Sequence, residues 1–159
     1  MSCSRKNILS NGSFQKVLSP WRGRKIRLIA NPVRRGDTSV AMKAGSLLYQ
    51  NVQKPLNTDC SYYLFFRIFN NRRKSNPPQL FATVAYLDGR NRLLRITPLL
   101  VEPPYPRTPH FTSYFAIVSP PPTYARTLSV IFSLRRGSVL VDYISVSARD
   151  LSRRASHMS

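Results

Sequence analysis

Arginine is the residue type in this chain best placed to do chemistry, because it occurs in pairs and short clusters. The 159 residues include 25 Lys and Arg against 6 Asp and Glu, which gives a formal net charge of +19. A field of this size attracts phosphates, acidic polysaccharides and acidic protein surfaces, although a solvated surface that keeps the protein soluble is the simpler alternative. The residues that we expect to bind anions are Arg22, Arg24, Arg34, Arg35, Arg72, Arg73, Arg135 and Arg136.

The acidic residues and histidines are too few for most catalytic or metal chemistry. Hydrolysis by two carboxylates needs a convergent acid pair, and a zinc site needs about four Cys, His or acidic ligands. His110 has no acid near it in the sequence, and no Gly-x-Ser-x-Gly nucleophile motif is present. We therefore expect no catalytic residues and no enzymatic activity. The complete set of acids is Asp37, Asp59, Asp88, Glu102, Asp142 and Asp150.

The two cysteines and the start of the chain bear on where the protein works. Cys3 lies in an N-terminal tail and Cys60 opens an apolar run. A bridge between them is one alternative, but their spacing carries no disulfide pattern, so free thiols are favoured. The N-terminus lacks the apolar run of an ordinary secretory signal, and no segment approaches the roughly 20 apolar residues of a membrane span. If the protein reaches an external surface, we expect it to do so by a route other than an ordinary secretory signal.

Hydrophobic residues alternate with a period of two over most of the chain, which is typical of β-strands. Most of the 13 prolines fall between these segments, where strand pairing stops. Asp88-Gly89 predicts a tight turn that makes a hairpin of the two strands beside it. The pattern favours an all-β fold, an antiparallel sandwich or jelly roll over residues 7–148, with tails at 1–6 and 149–159. The predicted strands are residues 25–30, 46–52, 61–69, 80–87, 92–97, 112–118, 127–134 and 138–146.

The two ends of this sandwich carry a pair of motifs. The chain opens with Asn-Ile-Leu-Ser-Asn-Gly-Ser-Phe-Gln at residues 7–15, followed by Trp21, and closes with Val-Leu-Val-Asp-Tyr-Ile-Ser-Val at residues 139–146. The pairing resembles the galactose-binding-like jelly rolls, including many carbohydrate-binding modules, over roughly residues 7–148. More narrowly, the whole is similar to the N-terminal domains that precede collagen-like or other tandem repeats in surface proteins of spore-forming bacteria. The resemblance implies a glycan-binding domain on a spore or cell surface.

The resemblance also implies a structural calcium ion and a trimer. Calcium in these modules is held partly by an acid at the position of Gln15 and by acids in the closing strand, of which this chain has only Asp142. Asp142 is therefore a candidate metal ligand, but a salt bridge or a turn-capping contact is favoured. Domains that cap collagen-like tails are commonly trimeric. This chain has no Gly-x-y repeats, which leaves a stand-alone module or an assembly subunit as alternatives.

Carbohydrate-binding modules stack sugar rings on exposed aromatic side chains, and three such side chains are candidates here. Tyr105 and Tyr124 lie in proline-rich loops, and Trp21 is the third candidate, although in the resembling folds this tryptophan usually packs structurally. Tyr62 and Tyr114 lie in predicted strands, where packing in the core is favoured.

The sequence therefore predicts a non-catalytic binding and assembly module of a bacterial spore or cell surface. It would recognise an anionic glycan or a partner protein through the loop aromatics and the arginine clusters. The alternative is a cytoplasmic, sequence-independent nucleic-acid-binding protein that uses the same clusters on phosphates. Duplex DNA should bind and compete strongly, with a steep dependence on salt, only in the second case.

Overall fold

The computed structural model describes residues 3–15, 17–73 and 76–150, and this part of the chain forms eight β-strands and no helix. The strands are β1 (Arg22–Ala30), β2 (Thr38–Val52), β3 (Ser61–Phe69), β4 (Gln79–Leu87), β5 (Leu93–Val101), β6 (Thr112–Val118), β7 (Thr127–Arg136) and β8 (Ser138–Arg149). All their pairings are antiparallel, in the order β5-β4-β7-β2-β8-β3-β6, with β1 paired to β2. Within the described ranges, no helix of the length and apolarity needed to cross a bilayer occurs.

β2 joins the two layers of the structure. Residues 40–43 of this 15-residue strand pair with β8, whereas residues 47–52 pair with β7. Between the two stretches lies Gly45, whose φ of 87° is in the left-handed region that glycine enters without a steric penalty. β7, β4 and β5 thus continue one layer, and β8, β3 and β6 continue the other.

The two layers pack face to face around one hydrophobic core. Phe66 of β3 and Phe132 of β7 meet edge to face with ring centroids 5.1 Å apart, although their strands lie in different layers. The inward side chains of β8, Val139, Val141, Ile144 and Val146, are fully buried. The expected antiparallel jelly-roll sandwich is confirmed.

The opening motif runs along β8 and closes the sandwich. Ile8 N donates to the Val146 carbonyl at 2.8 Å, and Ile144 N donates to the Gly12 carbonyl at 2.9 Å. Phe14 then turns into the core, where its side chain is fully buried. The opening motif is therefore a structural element, because its backbone forms hydrogen bonds with β8 and the phenyl ring of Phe14 packs in the core.

Cys3 and Cys60 form a disulfide, so the expectation of free thiols was wrong. Their Cα atoms lie 5.8 Å apart although the two residues are separated by 57 positions in the sequence. The N-terminal segment runs along β8, and β8 pairs with β3, which begins directly after Cys60. The bridge follows from this tertiary arrangement, which the spacing of two cysteines does not encode.

The predicted strands agree with the observed strands to within a few residues, except in β2. β3 and β6 have the predicted bounds, and the Asp88-Gly89 turn joins β4 to β5 in the predicted hairpin. The first half of β2, residues 38–45, was not predicted to be a strand. Residues 151–159 lie outside the described residues, so only the first two residues of the expected tail at 149–159 are described.

Candidate functional site

Four aromatic side chains from three adjacent strands share the outer surface of the β6-β3-β8 layer. Phe66 points into the core, so its neighbours in β3, Phe65 and Arg67, point outward. The strand register places Phe65 beside Phe115 of β6 and Arg67 beside Tyr143 of β8. We call this surface the aromatic face, and its rings are Tyr63, Phe65, Phe115 and Tyr143.

The rings of the aromatic face pack on one another and not on the core. Tyr63 and Phe115 stack with centroids 5.3 Å apart and an angle of 18° between their planes. Phe65 and Tyr143 meet edge to face at 5.9 Å. Phe115 is 59% exposed, and Ile117 beside it on β6 is also exposed. Exposed apolar clusters of this kind mark binding surfaces in soluble proteins.

Two arginines border the aromatic face. The Arg67 guanidinium carbon lies 5.2 Å from the Tyr143 centroid and 5.6 Å from the Phe65 centroid. The guanidinium of Arg149 lies 5.3 Å from the Tyr63 centroid. A cation within about 6 Å of a ring centroid is attracted to the negative face of the ring. The contacts hold charged hydrogen-bond donors next to three half-buried rings.

A β-bulge in β8 brings Asp142 onto the same surface. The register between β3 and β8 shifts after the Arg67–Tyr143 pair, and the next pair is Ile68–Val141, so Asp142 is the extra residue. Because side chains alternate along a regular strand, Asp142 and Tyr143 would otherwise point to opposite faces. The bulge reorients one of these two side chains, so that both lie half-buried on the outer surface of the layer.

A polar groove of about 320 Å³ adjoins the aromatic face at Arg67. Asn31 donates a hydrogen bond to Oδ2 of Asp142 at 3.4 Å. The salt bridge expected for Asp142 is not among the ion pairs of the described residues. Oδ1 of Asp142 is buried and has no hydrogen-bond partner among the described residues. Burial raises the pKa of Asp142, and the Arg67 charge and the Asn31 hydrogen bond oppose that rise. The groove is further lined by Val33, Arg34, Phe111 and Ser113.

The surroundings of Asp142 bear on the predicted calcium site. No three His, Cys, Asp or Glu side chains cluster as metal ligands in the described ranges. Arg67 and Arg34 contribute positive charge beside the carboxyl group, and Asn31 directs its N–H donor at it. Calcium prefers several oxygen ligands, so this arrangement fits a hydroxyl group or an anion better than a cation. Calcium binding at Asp142 stays a prediction.

The aromatic residues chosen from the sequence lie elsewhere. Trp21 is 4% exposed, and its indole N–H donates to the Asn11 carbonyl at 2.9 Å, so it belongs to the core and is not placed to stack a ligand. Tyr105 and Tyr124 are 49% and 75% exposed in their loops. Neither of these two tyrosines belongs to the aromatic face.

Sequence reasoning missed all four rings of the aromatic face, because all four lie in predicted strands, where aromatic side chains were expected to pack in the core. Two strand aromatics assigned to the core do pack inward, since Tyr62 is buried and Tyr114 stacks on Phe66 with centroids 5.6 Å apart. The alternation in β3 and β6 was the signal that could have separated inward from outward rings. The bulge that sets Tyr143 beside Asp142 has no comparable signal in the sequence.

The eight arginines expected to bind anions are all exposed but are distributed over strand ends and loops. Some have local partners: Arg34 pairs with Asp37 at 3.3 Å, and Arg136 Nε donates to the Pro77 carbonyl at 3.1 Å. Pairs that are adjacent in the sequence therefore do not by themselves form a common anion site.

One groove of about 400 Å³ instead gathers cations that are distant in the sequence. Arg72 from the predicted set lines it, together with Lys25, Arg27 and Lys43. We call it the basic groove. Arg27 and Lys43 were not among the predicted anion-binding residues, because each stands alone between apolar or small neighbours in a strand.

No protein-family model and no curated protein sequence matches this chain, whereas solved structures match its fold. The enzymatically active domain of tailspike protein 4 from bacteriophage CBA120 matches with a TM-score of 0.67 and 17% identity, over 90% of this chain and 21% of that chain. A family 61 carbohydrate-binding module in complex with β-1,4-galactotriose matches with a TM-score of 0.65 and 18% identity, over 91% of this chain and 99% of that chain.

A family 22 xylan-binding domain from Paenibacillus barcinonensis matches with a TM-score of 0.64 and 12% identity, over 93% of this chain and 97% of that chain. At these identities the likeness establishes the fold, the jelly roll that carbohydrate-binding modules share. This chain spans about a fifth of the tailspike chain but nearly the whole of the two binding modules. Its length is therefore similar to that of either binding module.

Proposed function

We propose that this protein is a non-catalytic glycan-binding module whose ligand lies across the aromatic face. The observation that carries the proposal is the stacked Tyr63–Phe115 pair, which exposes ring surface on a layer whose other side supplies the core. The faces of sugar rings are largely C–H groups, which pack on the negative face of an aromatic ring. The likeness in fold to a module named as xylan-binding and to one in complex with a galactotriose supports the same class of ligand.

Polar side chains beside the rings would orient the sugar. Binding sites typically combine apolar surface with a few placed polar groups. A hydroxyl group that enters the polar groove meets a donor in Arg67 and an acceptor in Asp142, whose Oδ2 is already oriented by Asn31. The aromatic face would supply contact area, and the polar groove would supply the preference for one hydroxyl arrangement over another.

The net charge of +19 favours an anionic glycan, or an acidic partner protein, over a neutral one. Complementary charge raises the local concentration of such a partner and the rate of association. The Cys3–Cys60 disulfide supports a place in an oxidising environment, such as a bacterial spore or cell surface. We therefore propose that location, and assembly into a homo-oligomer stays a prediction.

A single-stranded nucleic acid is the second candidate ligand, because exposed rings beside basic side chains also suit base stacking. Arg67 and Arg149 border the rings here as they would in such a site. Binding through phosphates, sulfates or carboxylates weakens steeply as the salt concentration rises, so the two candidates are separated by comparing a polysaccharide and an oligonucleotide at the same salt concentration.

Isothermal titration calorimetry against a panel of neutral and acidic polysaccharides, with a single-stranded oligonucleotide in parallel, tests the proposal. Phe115→Ala and Tyr143→Ala should each weaken glycan binding by at least about tenfold, as expected for central aromatic contacts. Tyr124→Ala is the matched control, because it removes a ring that is 75% exposed but lies outside the aromatic face.

Thermal melts of the variants verify that each one folds. Unchanged glycan affinity in Phe115→Ala and Tyr143→Ala would contradict the aromatic face as the binding site. Binding of the oligonucleotide alone, abolished at high salt, would replace the glycan with the second candidate.

A further inference from the structure

The basic groove brings four cationic side chains together without an acidic residue in its lining. Lys25 and Arg27 come from β1, Lys43 from β2, and Arg72 from the segment after β3. Like charges held close together repel one another, and a bound anion relieves that repulsion. A concave surface of one sign also concentrates the field, which favours an anion with more than one charge.

A buried serine fixes the backbone that carries two of these cations. Oγ of Ser46 donates to the Lys25 carbonyl at 2.6 Å and accepts from Lys43 N at 2.8 Å. These bonds tie β1 to β2 where their pairing is interrupted, between Arg24 and Ile26. The two lysines are therefore placed by the fold and not by chance proximity of loops.

Backbone conformation directs the Lys25 side chain toward β2. Lys25 has a φ of 53°, in the left-handed region that a lysine rarely adopts, and Gly45 on β2 has a φ of 87°. A Cβ atom built on Gly45 would lie 3.1 Å from Nζ of Lys25, so the ammonium group lies over the glycine. Unfavourable conformations of this kind persist where the surrounding structure enforces them, and they concentrate at binding sites.

The basic groove opens on the same outer surface as the aromatic face. Lys43 pairs with Ser138 of β8, and both point outward because the adjacent Met42–Val139 pair is buried. Along β8, Ser138 and Tyr143 lie five positions apart, or roughly 16 Å at about 3.3 Å per residue. A chain of several sugar residues that lies along β8 would therefore reach both sites.

We propose that the basic groove binds a phosphate or sulfate ester carried by the same glycan that stacks on the aromatic face. The identity of the polymer rests on the proposed function, whereas binding of the oxyanion depends only on the groove. The guanidinium groups of Arg27 and Arg72 would donate paired hydrogen bonds to the tetrahedral oxyanion, and Lys25 and Lys43 would neutralise its charge.

Calorimetric titration with inorganic pyrophosphate, at about physiological ionic strength to screen diffuse attraction, tests the groove by itself. The double variant Lys43→Gln, Arg72→Gln should bind pyrophosphate at least about tenfold more weakly than the unmodified protein, since two of four contacts to the anion are lost. The control Arg90→Gln, Arg107→Gln removes the same charge at two exposed positions outside the groove and should change the affinity less than about twofold. Equal losses in the two double variants, or no binding of pyrophosphate by the unmodified protein, would overturn the proposal.

Dextran sulfate and unsulfated dextran test the link between the two sites. We expect the groove variant to lose the preference for the sulfated polymer, and Phe115→Ala to weaken binding of both polymers. If Phe115→Ala binds the polymers more weakly while the groove variant keeps its preference for the sulfated polymer, this inference is overturned and the glycan proposal stands. If only the groove variant binds the sulfated polymer more weakly, the groove is an anion site but the aromatic face does not bind the same polymer.

Discussion

Arg67 and Tyr143 face each other across β3 and β8, with the guanidinium carbon 5.2 Å from the ring centroid. Their pairing is the last one before the bulge that inserts Asp142 into β8. The aromatic face and the polar groove therefore meet at this pair, so that one arginine contacts the rings and lies beside the carboxyl group. A ligand at this junction would touch apolar ring surface and hydrogen-bonding groups at once.

Replacement of Arg67 tests whether this junction contributes to binding. Arg67→Met keeps the apolar stem but removes the charge and the donors, so we expect several-fold weaker glycan binding. We also expect a loss of about 0.5–1 kcal/mol in the free energy of unfolding, the usual size of an exposed cation–π contact. Calorimetry and urea denaturation measure the two effects. Arg90→Met in the β4–β5 turn serves as the control, and equal glycan affinity of the two variants would argue against a role for the junction.

The raised pKa of Asp142 makes a prediction about stability and pH. Because burial raises the pKa of Asp142 in the folded state above its unfolded value of about 3.9, the folded protein favours the protonated carboxyl group. This stabilisation is fully present below the unfolded pKa and is lost as the pH rises through the folded pKa. Asp142→Asn should therefore be more stable than the unmodified protein at neutral pH.

The advantage of Asp142→Asn should shrink as the pH falls toward about 3.5, where the carboxyl group is also protonated in the unmodified protein. Urea melts at several pH values between these limits measure the difference. A difference in unfolding free energy that stays constant over the whole range would show that ionisation of Asp142 does not destabilise the fold.

The disulfide should stabilise the fold by linking the N-terminal segment to the start of β3. With the cysteines 57 positions apart in the sequence, loop-closure entropy predicts a contribution of about 4 kcal/mol. Cys3→Ser should lower the melting temperature accordingly, and a reducing agent should lower that of the unmodified protein to a similar value. The reducing agent should have no effect on Cys3→Ser. Identical melting of the oxidised and reduced protein would mean that the bridge contributes nothing.

Gly12 should not tolerate a side chain, because β8 passes directly over it. A Cβ atom there would lie 2.0 Å from the Ile144 carbonyl oxygen, and the Ile144 N–H donates to the Gly12 carbonyl. We expect Gly12→Ala to lower the free energy of unfolding by about 2–4 kcal/mol, within the range for a backbone forced out of a packed site. Gly89→Ala is the control, since the nearest atom to its Cβ would be 3.8 Å away. Equal stability of the two variants, measured by urea denaturation, would contradict this account of the opening motif.

The strands could be predicted from the sequence because their causes are local. Alternation and proline placement gave the bounds of β3 and β6, and Asp88-Gly89 gave the hairpin. The first half of β2 was not predicted because it ends at Gly45, and a glycine inside a strand weakens the strand pattern. Alternation in β3 separates the side chains into two faces, but both faces carry large apolar residues, so the sequence does not show which face packs in the core.

The candidate sites depended on long-range geometry that the sequence does not display. Cys3 and Cys60 meet because the opening segment lies along β8, and Tyr143 and Asp142 share a surface because β8 bulges. The basic groove likewise combines residues from three separate segments. Neighbouring charges in the sequence were therefore a poor guide to neighbouring charges in space.

A glycan lying across the aromatic face is the central claim, and chemical-shift mapping by NMR tests it most directly. The protein would be titrated with a fragment of the polysaccharide that binds most tightly in the calorimetric panel. We predict that the largest shifts occur at Tyr63, Phe115, Arg67 and Tyr143, with little change at Tyr105 and Tyr124. Shifts confined to the loops that carry Tyr105 and Tyr124, with the aromatic face unperturbed, would contradict the account.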